Sequence, residues 1–564
     1  MLSYRIELAH QGAHQFRVTL TVPQPAAQQV LALPVWIPGS YLVREFAKHW
    51  SDLSATQGGQ PVALRALDKA SWQADCLAGV PLQVSATVYA FDPSVRTAWL
   101  DADRAFFNPS SLCLRVLGQE EAVHRIEIGT LPEGWQVGTA MRQVQGGYEA
   151  TGYDELVDHP FEIGPWRAVD FDATGVPHEI VLAGAWPNAD LGRLAADVQR
   201  ICAAQIGFWG VAPFERYQFQ LWTVDDGHGG LEHRASTALI AARRDLPTAI
   251  ESATSPSDGY VRLLGLFSHE YFHAWNVKRL RPAEFARFDY QRENTTELLW
   301  FFEGFTSYYD DLMLLRAGLI DAPRYLKLLA ATVNGVLAAP GRLTQSLAEA
   351  SYEAWIKYYR PDENSPNATV SYYAKGALVA LCLDLALREQ GRDLDGLMRQ
   401  LWAETSGGPV SEAQILAAAG ACAARLHDWV HTTAELPLRE LLAGHGIEWR
   451  DEGRAMLAQR LGLRLREASG VQVTHVLAGS AAQQAGLSAR DEILGVNGYR
   501  VRRLDEALQW IAPTGTLQVL VCRDQRLLTL PVLLPEAGPA SVALALAGGC
   551  EDAALQRRQA WLKA

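Results

Sequence analysis

The chain has 564 residues, more than one hydrophobic core supports, so about three domains are expected. Its formal net charge is -13, with 49% hydrophobic and 20% charged residues, which excludes a non-specific nucleic-acid binder and fits a globular protein. The seven cysteines are scattered without C-x-x-C spacing, which excludes a zinc knuckle or dithiol redox motif and predicts reduced thiols.

The N-terminus enters directly a period-two pattern, with no charged segment followed by an apolar one, so no signal peptide is read there. Tyr4, Ile6 and Leu8 alternate with polar neighbours, as do Phe16, Val18, Leu20 and Val22 after a turn-like Gln11-Gly12-Ala13. Leu82 to Val88 and Ile126-Glu127-Ile128 repeat the pattern, which predicts antiparallel β structure over residues 1–168.

Near residue 190 the period changes to that of a helix, with Leu191, Leu194, Val198 and Ile201 on one face. Tyr217, Phe219 and Leu221 mark a strand, followed by the turn Asp226-Gly227-His228-Gly229-Gly230 and then Leu231-Glu232-His233. From about 260 to 450 helices are expected at 263–277, 296–317, 371–389 and 411–431. Strands near Val471–Val476 and Asp491–Val496, an Asn497-Gly498 turn and two final strands place another unit at 455–536. The tail 537–564 is expected to be helical. No apolar run is long enough to span a bilayer, and the expectation is a cytoplasmic protein.

The chemistry concentrates at His269-Glu270-Tyr271-Phe272-His273. Residues four apart on a helix lie about 40° apart around the axis, so both imidazoles aim at one point. Imidazole nitrogen is a good zinc ligand, and Glu270 sits beside the same point, ready to take a proton from water. A helix with two packed histidines is the bland alternative. A third ligand is needed, and Glu303 interrupts the apolar run Leu298-Leu299-Trp300-Phe301-Phe302, where a carboxylate needs a cation or donors. Pairing of Glu303 with Arg279 is the alternative, and Glu297 is the rival ligand. Asp310, seven residues beyond Glu303, is a candidate to orient a ligand histidine.

Two further residues complete the expected site. Tyr373 opens a helix and offers a phenol that donates to an oxyanion while staying protonated. Glu232 follows Gly229-Gly230 on a probable edge strand, where a substrate backbone adds by β-augmentation and a carboxylate holds its protonated N-terminus. A packing tyrosine and a turn-side acid are the ordinary alternatives.

His269 to Pro282, with Glu297 to Tyr309, resembles the glycyl aminopeptidase family of gluzincins. Pro34-Val35-Trp36-Ile37-Pro38-Gly39-Ser40-Tyr41 and Tyr153-Asp154-Glu155-Leu156-Val157 are similar to its N-terminal domain, and 455–536 resembles its PDZ domain. The resemblance implies a multidomain α+β chain: an N-terminal β-sandwich-like domain (1–168), a mainly helical thermolysin-like catalytic domain (169–454), a PDZ domain (455–536) and a tail (537–564). It implies one Zn²⁺ per chain on His269, His273 and Glu303, Glu270 as general base, Tyr373 at the oxyanion and Glu232 at the free amine, with Gly229 and Gly230 beside the substrate. Here Gly-Gly-Leu-Glu-His departs from the Gly-x-Met-Glu-Asn of related aminopeptidases at two positions.

The expected activity is removal of a small N-terminal residue, glycine or alanine, from peptides. A zinc endopeptidase and a PDZ-based adaptor with a relic metal site are the competing readings. Expected partners are peptides with a free N-terminus, and at the PDZ domain a peptide C-terminus or an intramolecular contact. Neither nucleic acid nor membrane is expected, and a homo-oligomer is compatible.

Overall fold

The structure is a computed structural model that describes residues 1–250, 256–452, 456–536 and 541–563. Its contacts divide it into two compact units.

The first unit comprises Met1–Asn294 with two short later segments. Its N-terminal part is built on an eight-stranded sheet in which Leu2–His10 lies between His124–Ile128 and Gln15–Val22. The alternating residues behave as their period requires: Tyr4, Ile6, Phe16, Val18 and Leu20 all point into one core with Leu82, Val84 and Ile126. One pairing differs from the antiparallel expectation. Leu2–His10 runs parallel to His124–Ile128, and period two carries no information about strand direction. Two four-stranded sheets complete this β-rich domain.

A five-stranded sheet follows, in the order Arg167–Ala173, Val176–Ala183, Tyr217–Val224, Ser236–Ala242, His228–Glu232. Its three central strands are parallel, and both edge strands are antiparallel to their neighbours. The helix Leu191–Trp209 connects two of the parallel strands. Asp190 caps its first turn by accepting the Arg193 amide, and Gly210, at φ +76°, ends it. The helix Asp258–Phe272 is capped by Ser257, whose hydroxyl accepts the Tyr260 amide.

The second unit is mainly helical and includes the C-terminal sheet expected to be a PDZ domain. Helix Ala374–Arg388 is mostly apolar and buried over most of its length, as an interior helix must be. The helix expected over 411–431 is broken at Gly420, at φ +59°, into Glu412–Ala419 and Ala423–His431. The expected helix over 296–317 opens with a π turn, Trp300–Gly304, before Phe305–Arg316.

The PDZ sheet closes over Val471, Val473, Ile493, Val496, Val519 and Val521. Gly462 ends the short helix Leu457–Leu461 at φ +74°, where a Cβ would overlap the Ser480 side chain. Asn367 donates its amide to Val476 O at 2.9 Å and accepts the Ala478 amide at 2.8 Å, which ties a PDZ strand end to the helical part of the same unit. The tail holds a strand as well as the expected helix. Ser541–Leu546 pairs antiparallel with Ile447–Glu452, and helix Asp552–Trp561 ends on a fully buried Trp561. Among the described residues no helix is long and apolar enough to cross a membrane.

Candidate active site

In the first unit, His269 and His273 lie at the end of the helix Asp258–Phe272, which stops at Phe272, five residues short of the expected end. Their Nε2 atoms are 3.0 Å apart, with ring planes at 85°. Two nitrogens bound at about 2.0–2.1 Å to a tetrahedral ion stand about 3.3 Å apart, so the pair is close to ligand spacing. His273 Nδ1 lies 2.8 Å from Asn276 O. A carbonyl can only accept, so Nδ1 carries the proton and Nε2 keeps its lone pair. That is the tautomer a metal requires.

The helix is pinned from behind. Gln205 donates to Ser268 O at 2.8 Å and to its Oγ at 3.0 Å. Tyr271 meets His178 Nε2 at 2.8 Å; His178 Nδ1 faces Val176 O, so it holds the proton and the Tyr271 hydroxyl donates. Burial pushes the His178 pKa down, which keeps this ring neutral.

Glu270 is 6% exposed and lies against the edge strand His228–Glu232. A Cβ built on Gly230 would stand 2.6 Å from Glu270 Cγ and closer still to its carboxylate. The strand backbone thus passes flush over the carboxylate, and only glycine permits it. Gly230→Ala is expected to displace Glu270 and reduce turnover by about 10²-fold, as a misplacement of about 1 Å does. Steady-state assays alongside thermal melting check this; an active Ala variant would mean that the carboxylate is free to move.

Glu232 ends the same strand, 4% exposed. Its carboxylate oxygens lie 2.5 and 2.6 Å from where a Cβ on Gly39 would be, and Gly39 has φ +93°. The segment Trp36-Ile37-Pro38-Gly39 of the β-rich domain therefore walls the Glu232 side of a cavity that also includes Val277, Arg281 and Tyr290. Glu232, Glu270 and His273 each present a ligand-type atom within 4.8 Å of the other two.

Tyr217, read from the sequence only as a strand residue, lies within the influence of the Glu270 and Glu232 charges. It is 1% exposed, and its hydroxyl has no hydrogen-bond partner among the described residues. Burial first, then the charges of Glu270 and nearby Cys202 and Glu232, raise its pKa well above the usual phenol value. Among 18 tyrosines, nothing in its strand pattern distinguishes it.

In the second unit, Glu303 is 2% exposed within the π turn Trp300–Gly304. Such single turns recur at functional sites because they re-aim one side chain. The turn is fixed by Ser351, whose hydroxyl accepts the Trp300 amide at 3.0 Å. Gly304 packs against Gly376, where a Cβ on the former would stand 2.5 Å from the latter's Cα. This backbone approach sets Tyr373, which immediately precedes helix Ala374–Arg388, beside the Glu303 turn. Burial, then the Glu303 carboxylate, raises the Tyr373 pKa well above the usual phenol value, so it stays protonated. Arg279 has carbonyl partners in the first unit, those of Ala274, Arg234 and Pro213. Asp310 accepts the amide of Asp311 at 2.6 Å.

Comparison with known proteins covers most of the chain. The profile of the M61 glycyl aminopeptidase family matches residues 262–379, that of the peptidase M61 N-terminal domain residues 3–165, and that of the PDZ domain residues 452–522. The crystal structure of an aminopeptidase N family protein from Idiomarina loihiensis is similar at 36% identity and TM-score 0.95, over 100% of both chains. An M1 zinc metallopeptidase from Deinococcus radiodurans aligns at 16% identity and TM-score 0.47, over 78% of this chain and 94% of its own, too distant to argue from. A search of curated proteins finds no match.

Proposed function

The chain belongs to the M61 glycyl aminopeptidase family, and from that footing we propose a zinc-dependent aminopeptidase that removes a small N-terminal residue, glycine or alanine, from peptides. Membership makes it a metallopeptidase with a PDZ domain; the metal, the residue roles and the specificity are our reading. The observation that carries it is the lone-pair-bearing His273 Nε2, 3.0 Å from His269 Nε2 and next to buried Glu270.

In this reading His269, His273 and Glu303 hold one Zn²⁺ per chain. When bound, the zinc supplies Lewis-acid activation of water and of the scissile carbonyl. Glu270 takes the proton from the attacking water and returns it to the leaving amine. Tyr373, kept protonated, donates to the developing oxyanion. Glu232 pairs with the substrate ammonium, and the edge strand His228–Glu232 receives the peptide backbone beside Gly229 and Gly230. The seven free thiols support a reducing, cytoplasmic setting. The Asn367 contact supports an intramolecular role for the PDZ domain beside peptide capture.

Metal analysis combined with free and N-acetylated aminoacyl substrates tests the proposal. One zinc per chain and cleavage confined to unblocked glycyl and alanyl substrates are expected. Cleavage of blocked peptides, with no loss on Glu232→Ala, would instead establish an endopeptidase. Tyr373→Phe is expected to lower kcat by about 10²–10³-fold with little change in KM, the usual effect of removing one oxyanion donor. An equal loss in KM would move Tyr373 from the transition state to ground-state binding.

A further inference from the structure

The histidine motif runs on through Asn276-Val277-Lys278-Arg279; the site described above uses the Asn276 carbonyl but gives Val277 and Lys278 no part in the reaction. The backbone there is strained: Val277 has φ +149°, a conformation β-branched residues rarely adopt. Strain of this kind persists only where the surroundings over-determine it.

Two sets of bonds do so here. On one side the turn closes on His273, whose Nδ1 donates to Asn276 O at 2.8 Å and whose carbonyl accepts the Lys278 amide at 3.0 Å. On the other side Lys278 Nζ pairs with Asp158 at 2.7 Å, both side chains 8% exposed. Asp158 belongs to the β-rich domain, just past the short helix Tyr153–Leu156. It also accepts the Arg234 amide at 2.9 Å and faces His233 Nδ1 at 3.3 Å, the two residues that follow Glu232. Burial opposes its charge, yet Lys278, His233 and Arg234 hold its pKa well below the usual carboxylate range. Arg279 staples the same turn through Ala274 O at 2.7 Å.

We propose that the buried Asp158–Lys278 pair is a clamp. It holds the strained peptide at Val277, which keeps the Asn276 carbonyl under His273 Nδ1 and the Nε2 lone pair aimed at the metal. Asp158 and Lys278 are then positioning residues, and the β-rich domain takes part in shaping the metal site. This rests on the zinc reading above.

The test uses the full-length chain, zinc competition against a chelator and the visible spectrum of the cobalt-loaded protein. Asp158→Asn and Lys278→Met are each expected to weaken zinc binding about 10–100-fold, the usual effect of losing a partner behind a ligand, and to shift the cobalt bands. Lys278→Arg should recover most of the affinity. Val277→Gly, which removes the strain, should recover part of what Lys278→Met loses, and this pair is measured even if Asp158→Asn fails to fold. Variants that melt earlier without zinc yet keep wild-type affinity and cobalt spectrum would overturn the clamp alone. A wild-type chain that takes up no zinc would overturn the zinc reading with it.

Discussion

Glu270→Gln is expected to leave zinc bound while kcat falls by about 10²–10⁴-fold, the range for loss of a positioned general base. At 1.36 kcal/mol per tenfold, that is about 3–5 kcal/mol of barrier. The substitution keeps the shape and hydrogen-bonding reach of the side chain, so it still fits beneath the Gly230 backbone. What it removes is the capacity to accept a proton and carry it to the leaving amine. Steady-state kinetics on a glycyl amide, with metal content on the same preparation, measures both halves. Wild-type turnover would show that some other group takes the proton. Loss of zinc would show that Glu270 contributes to holding the metal.

Trp561→Ala is expected to cost about 3–5 kcal/mol of stability, the range for truncating a fully buried large aromatic. The cost is not confined to the tail. The indole donates to the Tyr308 hydroxyl at 2.9 Å, and Tyr308 donates to Asp384 at 2.6 Å. Asp384 also accepts the Leu394 amide at 2.8 Å and pairs with Arg388 at 3.1 Å. Tyr308 lies on the helix that continues the Glu303 turn, so the last helix of the chain braces a segment we assign to the metal site. Denaturant unfolding of the full chain gives the number. Trp561→Phe, which refills most of the volume and omits only the donor, should cost about 1 kcal/mol, the worth of one hydrogen bond. Equal losses in the two variants would assign the effect to the hydrogen bond and not to packing.

Much of this was legible in the sequence because it depends on local spacing. Two histidines four apart, the alternation of Tyr4, Ile6, Phe16 and Val18, and the edge strand with Gly229-Gly230 all follow from the period of one element. The π turn at Trp300–Gly304 was not legible, because one extra residue in a turn leaves the apolar run unchanged. Nor was the parallel pairing of Leu2–His10 with His124–Ile128, which a distant segment decides. Glycines show the same limit. The break at Gly420 was not read from the sequence, where one apolar face runs through it, and Gly39 and Gly230 owe their identity to carboxylates that only folding brings near. Lys278 and Asp158 show the limit most clearly, since each is an ordinary surface type until both are buried together.

The ribbon of Ile447–Glu452 with Ser541–Leu546 has a consequence for how the molecule is made. The first strand leaves the ribosome before the PDZ domain, and its mate leaves after it. At about 5–20 residues per second, the earlier strand waits for several seconds with an open edge while an entire domain is synthesised. A nascent chain halted inside the PDZ domain should therefore be the form that recruits holdase chaperones or aggregates. Once synthesis ends, the same ribbon works in reverse: a protease nick within the PDZ domain would leave two fragments still knitted together, migrating as one particle until denatured.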